Sequence, residues 1–261
     1  MMKRALYTAL ACLSSALWAE PVTAWAQGVT EQSGWQDFNK NFDSNDSEQC
    51  WAITAANLID WWQRQHPAPL PETTPQGEDI LQCFKQSFTN AGSDPDEALN
   101  WWFSGEYKPG RPDCAARKEN AAGGYLRSTL PPGTALKGSL LTSLRGSQVT
   151  AASVSSALID GAQAGAAFWI GVSYVSPKGR PAMHSLNVWG VRYDTAEDGT
   201  RKICGIWIAD SDDYRRCISY VPLREDQGML VFHDPQHPIY GRIPRIVLDT
   251  LSILRPTQPR N

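Results

Sequence analysis

The spacing of apolar residues splits the chain into a helical first half and a strand-rich second half. Trp51, Ala55, Leu58, Ile59 and Trp62 fall at i, i+4, i+7, i+8 and i+11, one stripe of a helix. This predicts a helix over 47–65, capped by Asp46 or Ser47 and stopped at His66-Pro67. Ile80, Leu81, Phe84 and Phe88 predict a second helix over 78–89. Asp94 as cap and Pro95 at the first helical position start a third, which carries Ala98, Leu99, Trp101 and Trp102 into Gly105. Val154, Ala157 and Leu158 predict a fourth over 150–164. Beyond it the pattern turns to strands at 166–174, 184–193, 203–209, 218–223, 229–232 and 246–254, with a turn at Glu197-Asp198-Gly199-Thr200. Residues 27–45 are polar and extended, with Trp35, Phe38 and Phe42 available to pin them, and 109–132 read as an irregular excursion rich in Pro, Gly and Arg. Helices followed by an antiparallel meander predict an α+β arrangement.

With 261 residues, 42% of them hydrophobic and 20% charged, the chain can build one large core or two small lobes. Its net charge of −3 implies no general affinity for nucleic acid or for an anionic membrane surface. Lys3 and Arg4, the mostly apolar stretch 5–19 and the Ala24-Trp25-Ala26 triplet read as an export leader cut before Gln27. The expected organisation is a leader over 1–26 and a single two-lobed domain over 27–261, secreted or periplasmic. Ala9-Leu10-Ala11 makes a poor lipid-attachment box before Cys12.

Export leaves Cys50, Cys83, Cys114, Cys204 and Cys217, an odd set. In an oxidising compartment, proximity along the chain suggests Cys83–Cys114 and Cys204–Cys217 bridges, leaving Cys50 as the spare thiol. Cys50 sits where the first helix begins, and the positive end of a helix dipole favours a thiolate there. The bland reading is a buried core cysteine or half of a disulfide.

A thiolate nucleophile needs a base, and only four histidines are available. His66 follows a helix end, and His233 and His237 bracket a Pro-broken loop with one carboxylate, a poor metal set. His184 opens a strand, and the strand after the next turn delivers Asp210-Ser211-Asp212-Asp213 to its end. In an antiparallel pair those two ends adjoin, so Asp210 can orient the imidazole of His184. Taken singly, His184 is a strand-end histidine and the aspartates an acidic turn; a calcium loop lacks its ligand spacing.

Cys, His and Asp in this order follow the papain-like arrangement. The segments Gly34-Trp35…Lys40-Asn41-Phe42…Cys50…Ala55-Ala56-Asn57-Leu58…Trp61-Trp62, His184…Leu186-Asn187-Val188-Trp189-Gly190…Tyr193-Asp194 and Asp210-Ser211-Asp212 resemble the streptococcal immunoglobulin-degrading cysteine proteinases, the IdeS/Mac family. Together they span about a third of the exported chain; the region from Pro67 to Gln148 has no counterpart. The resemblance implies a papain-like fold with the nucleophile helix packed on a C-terminal antiparallel sheet. It implies Cys50 as nucleophile, His184 as general base and acid, Asp210 as orienting carboxylate and Asp212 as a supporting acid. It also implies Lys40 beside the oxyanion site, and immunoglobulin as a protein substrate; Gln49 is a weaker oxyanion candidate. No metal or organic cofactor enters such a mechanism. The four further cysteines and the unmatched middle depart from the family, so the chemistry transfers better than the substrate. Two other classes remain open: an acyltransferase, transglutaminase or deamidase using the same residues, and a non-catalytic binding protein on the same fold.

Overall fold

The structure is a computed structural model and describes residues 20–41, 46–108, 114, 122–130, 135–213, 215–238 and 240–257. Most of the excursion predicted at 109–132 therefore lies outside the described residues, as does Phe42.

Four helices form as the apolar spacing predicts: α1 Cys50–Gln65, α2 Glu78–Ser87, α3 Pro95–Ser104 and α4 Ala151–Gln163. The Asp94 carboxylate caps α3 by accepting from Asp96 N–H, and Thr150 caps α4 through a reciprocal pair with Ser153. α1 differs from expectation at its start. It begins at Cys50 with no side-chain cap, because the Asp46 carboxylate is committed to Asn41 N–H and to the Lys85 ammonium at 2.8 and 2.6 Å.

Eight strands follow or flank them: β1 Val22–Trp25, β2 Leu141–Arg145, β3 Ala167–Val175, β4 Pro181–Thr195, β5 Arg201–Ala209, β6 Ser219–Asp226, β7 Met229–Phe232 and β8 Ile246–Leu254. All pair antiparallel, in the order β4-β3-β8-β7-β6-β5, and β5 returns to pair with β4. The sheet is thus a closed six-stranded barrel, extended by β1 on β4 and β2 on β8. This corrects the expected papain-like α+β fold, in which a helical N-terminal part faces an open sheet. The closure depends on β4, which is 15 residues long and pairs with β3 along its first half and β5 along its second. Register shifts near Gly190 and Arg192 bend it between the two tasks. Gly190 is required there, since a Cβ would lie 2.6 Å from the ring of Trp25.

The walls of the barrel separate two cores. Phe168, Ile170, Val172, Leu186, Val188, Ile206, Ile208 and Leu248 point into the barrel and pack with Val154, Leu158 and Ile159 of α4. The alternate residues Trp169, Trp189 and Ala209 face outward onto α1, whose other side meets Phe84, Trp101 and Trp102 of α2 and α3. β3 and β4 are consequently apolar on both faces. α1 is buried from Trp51 to Gln63, all round and not on a single stripe, because it lies between the barrel and the other helices.

Asp96 ties the helical layer to the barrel. Its carboxylate accepts from Trp169 Nε1 at 2.7 Å, Ser143 Oγ at 2.6 Å, Arg145 at 2.7 Å and Ser252 Oγ at 3.1 Å.

β1 falls inside the stretch read as a leader. Val22 to Trp25 pair with Tyr193 to Gly190, Ala26 N–H donates to Trp189 C=O, and Trp25 packs on Trp207. A cut between Ala26 and Gln27 would remove this strand. No helix among the described residues is long and apolar enough to cross a membrane.

Candidate active site

α1 and β4 meet along a polar seam that sets the nucleophile. Cys50, Thr54 and Asn57 are spaced i, i+4 and i+7, one face of α1. The Thr54 hydroxyl donates to Ser185 C=O at 3.1 Å, Asn187 Nδ2 donates to Thr54 C=O at 3.0 Å, and Asn57 Nδ2 donates to Asn187 Oδ1 at 2.9 Å. Asn57 Oδ1 accepts from Phe38 N–H at 2.8 Å, so the seam also holds the N-terminal strap. Its upper end places the Cys50 thiol beside His184 and Ser185, near enough for both to lower its pKa.

His184 lies inside β4, three residues beyond its start, and is 5% exposed. Its Nε2 meets Asp210 Oδ1 at 2.7 Å, which leaves Nδ1 for the thiol. Asp210 follows the last residue of β5 and is held from two further directions: Tyr240 Oη donates to its Oδ2 at 2.5 Å, and Asp212 N–H donates to its Oδ1 at 2.9 Å. Sequence reasoning placed Cys50, His184 and Asp210 together, and they are together. It missed the seam residues Thr54, Asn57 and Asn187, although the i, i+4, i+7 polar spacing from Cys50 was visible. It also missed Tyr240, which sits in a 3-10 turn over Tyr240–Arg242 with no local signal.

Lys40 and Asp212 form a pair of their own on the open side, Nζ to Oδ1 at 2.7 Å, with Lys40 buried and Asp212 one-third exposed. Asp212 Oδ1 lies 3.9 Å from His184 Nε2, beyond hydrogen-bond range. The strap carrying Lys40 is laced to the acidic loop: Lys40 N–H donates to Ser211 C=O, Asn39 Nδ2 to Arg215 C=O, and Cys217 N–H to Asp37 Oδ2. The Gln49 side chain turns away, donating to Thr89 C=O at 3.4 Å.

The charges reinforce one another. Burial pushes the Cys50 thiol up, but the His184 hydrogen bond and charge, the Lys40 ammonium and Ser185 N–H outweigh it, so the thiol lies below its ordinary value. Burial opposes the His184 imidazolium, yet Asp210 and the thiolate raise its pKa well above normal. Burial likewise opposes the Asp210 carboxylate, and His184, Tyr240 and Asp212 N–H bring it below normal. All three shifts run in the direction of a thiolate–imidazolium pair backed by a carboxylate. Beneath it, burial raises Asp37 to about 8, and burial together with Asp210 and Asp212 raises Asp213 to about 6.

The other sulfurs do not form the expected bridges. Cys83, Cys114, Cys204 and Cys217 are free thiols, so the odd-count argument for Cys50 falls away and its standing rests on geometry. Chain proximity misled because three of the four sulfurs are held by their own surroundings. Tyr107 Oη donates to Cys114 at 3.0 Å, Tyr125 Oη to Cys83 at 3.9 Å, and Cys204 to Lys202 C=O at 3.7 Å. Burial raises the Cys83, Cys217 and Cys204 thiols, the last to about 11.

Among the described residues, the one group of three His, Cys, Asp or Glu close enough to share a metal ion is His184, Asp210 and Asp212; His233, Asp234 and His237 do not assemble. His66 Nδ1 engages Ala68 C=O in its loop, as its position before Pro67 suggested. No protein-family model matches the chain, and no curated protein matches it.

Proposed function

We propose that the protein is a cysteine endopeptidase that hydrolyses peptide bonds through Cys50, His184 and Asp210. The observation that carries this reading is the buried His184 Nε2–Asp210 Oδ1 bond, with the Cys50 thiol beside the same imidazole at the start of α1 and lowered in pKa by it. A thiolate needs only a carbonyl carbon to attack. Its electron pair forms the thioester carbon–sulfur bond while the carbonyl π pair moves onto oxygen. The resulting oxyanion faces the Cys50 end of α1, where backbone N–H groups and the nearby Lys40 ammonium offset its charge. Collapse expels the amine, which takes a proton from the His184 imidazolium. Water, deprotonated by the neutral imidazole, then cleaves the thioester, and Cys50 leaves as thiolate while His184 regains the proton. Asp210 keeps the imidazole in the tautomer and orientation both halves require. The apolar 5–19 stretch behind Lys3 and Arg4 supports an exported enzyme. The three segments resembling immunoglobulin-degrading proteinases make immunoglobulin the first substrate to try.

The test is incubation of the protein, beside Cys50→Ala, with immunoglobulin and with a mixed proteome, followed by identification of new N-termini. Cleavage that disappears in Cys50→Ala supports the reading. No Cys50-dependent cleavage refutes it, and amine incorporation or deamidation without cleavage replaces it with acyl transfer.

A further inference from the structure

Behind Asp210, away from the nucleophile, lies a residue whose hydroxyl has no other evident task. Tyr240 is 4% exposed, and its Oη sits 2.5 Å from Asp210 Oδ2. Its ring is clamped from both sides, stacked on His237 with centroids 4.8 Å apart and edge-on to Phe232 at 5.4 Å. Its own N–H donates to His237 Nδ1 at 3.2 Å. The Asp210 carboxylate thus receives three bonds in a dry site: His184 and Asp212 N–H on one oxygen, Tyr240 on the other. A carboxylate held on one oxygen alone is free to turn about its Cβ–Cγ bond; a donor on the second oxygen stops that rotation.

We propose that Tyr240 is a positioning residue for the site: its hydroxyl fixes the Asp210 carboxylate plane so that Oδ1 stays on His184 Nε2 and Nδ1 stays aimed at Cys50. The kinetic consequence rests on the cysteine-hydrolase reading, whereas the geometric one concerns only the Cys50 thiol. Ionisable groups face this chain from several elements. Tyr240 faces Asp210, Asp212, Tyr174 and the stacked His237; Asp210 faces His184, Asp37, Asp213, His237 and Tyr174; His184 faces Asp210, Cys50 and, at 3.9 Å, Asp212; Cys50 faces His184, Lys40 and Tyr174. Without the Tyr240 hydroxyl, Asp210 carries an unmatched lone pair in a buried site and its charged form is disfavoured. His184 then loses part of its counter-charge, and Cys50 loses part of the imidazolium that keeps it ionised.

The test compares Tyr240→Phe with wild type in the rate of Cys50 alkylation by iodoacetamide across pH, with melting temperature measured alongside. Phe keeps the ring between His237 and Phe232. The expected result is an alkylation profile whose acid limb moves up by about one pH unit. If peptide cleavage is found, kcat falls about tenfold with KM unchanged. Tyr193→Phe removes another mostly buried hydroxyl, one that accepts from Gln163 Nε2 at 2.8 Å and does not touch Asp210, and leaves the profile in place. An unshifted profile in folded Tyr240→Phe overturns the proposal. If Tyr240→Phe does not fold, incorporated 3-fluorotyrosine gives a more acidic hydroxyl and is expected to move the limb the opposite way; no movement overturns the proposal equally. Because alkylation needs no substrate, a shifted limb in a protein that cleaves nothing refutes the peptidase reading alone.

Discussion

Replacing Asn187 by Ala removes the centre of the seam between α1 and β4. Asn187 is 1% exposed, and its two side-chain bonds are to Thr54 C=O at 3.0 Å and to Asn57 Nδ2 at 2.9 Å. The substitution leaves Asn57 Nδ2 without its acceptor and Thr54 C=O with only its helical partner, Leu58 N–H, between α1 and the barrel. A buried polar group left without a partner costs about 1–3 kcal/mol, and Thr54 C=O is not orphaned, so a loss of about 1–3 kcal/mol is expected. Asn57→Ala strands a different set, Phe38 N–H together with Asn187 Oδ1. In the double variant the shared bond is absent from both sides, so the costs do not add; the cycle should show a coupling of about 1–2 kcal/mol. Urea unfolding followed by tryptophan fluorescence reads the stabilities, and Cys50 alkylation at neutral pH reads the position of α1 against His184. Both are expected to fall in Asn187→Ala. A loss below about 1 kcal/mol, or strict additivity with Asn57→Ala, would refute the reasoning that this seam sets the nucleophile.

Other consequences follow from groups around the site. Asp37 has its pKa raised by burial from 3.8 to about 8, so its neutral form is favoured by folding and stability is lost as pH rises between those values. Asp37→Asn keeps an acceptor for Cys217 N–H, and is expected to flatten the pH dependence and raise stability by about 2–4 kcal/mol near pH 7; a melting curve no better than wild type at neutral pH would count against it. Asp96→Ala strands Trp169 Nε1 and takes one partner each from Ser143, Ser252 and Arg145, which keep one another and Asp94, and should cost about 2–4 kcal/mol in denaturant unfolding, whereas a loss under about 1 kcal/mol would show the tie to be dispensable. A chain starting at Gln27 lacks β1 and the Trp25–Trp207 contact and should be about 3 kcal/mol less stable than one starting at Glu20, with equal stability contradicting β1 as part of the fold.

The helices were legible because each shows an apolar stripe locally, and all six strands predicted in the second half end within three residues of their observed bounds, β4 extending beyond its predicted range at both ends. Barrel closure was not, because it rests on β3 pairing with β8 across some eighty residues and on β4 serving two neighbours, neither of which leaves a local trace. β2 was missed for the same reason, being a five-residue edge strand whose partner is β8. β1 was hidden because a leader and a strand both read as apolar residues interrupted by Ala and Thr. Of the site, Cys50, His184 and Asp210 were found through element ends that adjoin in an antiparallel pair. Tyr240 was not, since a tyrosine in a Pro-rich loop announces a contact only once the loop is folded back on Asp210.

The most direct test of the central claim is the ultraviolet absorbance of the Cys50 thiolate across pH, taken as the difference between wild type and Cys50→Ala. The expected result is a thiolate that persists below the ordinary thiol value of about 8.5 and that loses this persistence in His184→Ala. A thiolate that forms only near that ordinary value, or that is indifferent to His184→Ala, would contradict it.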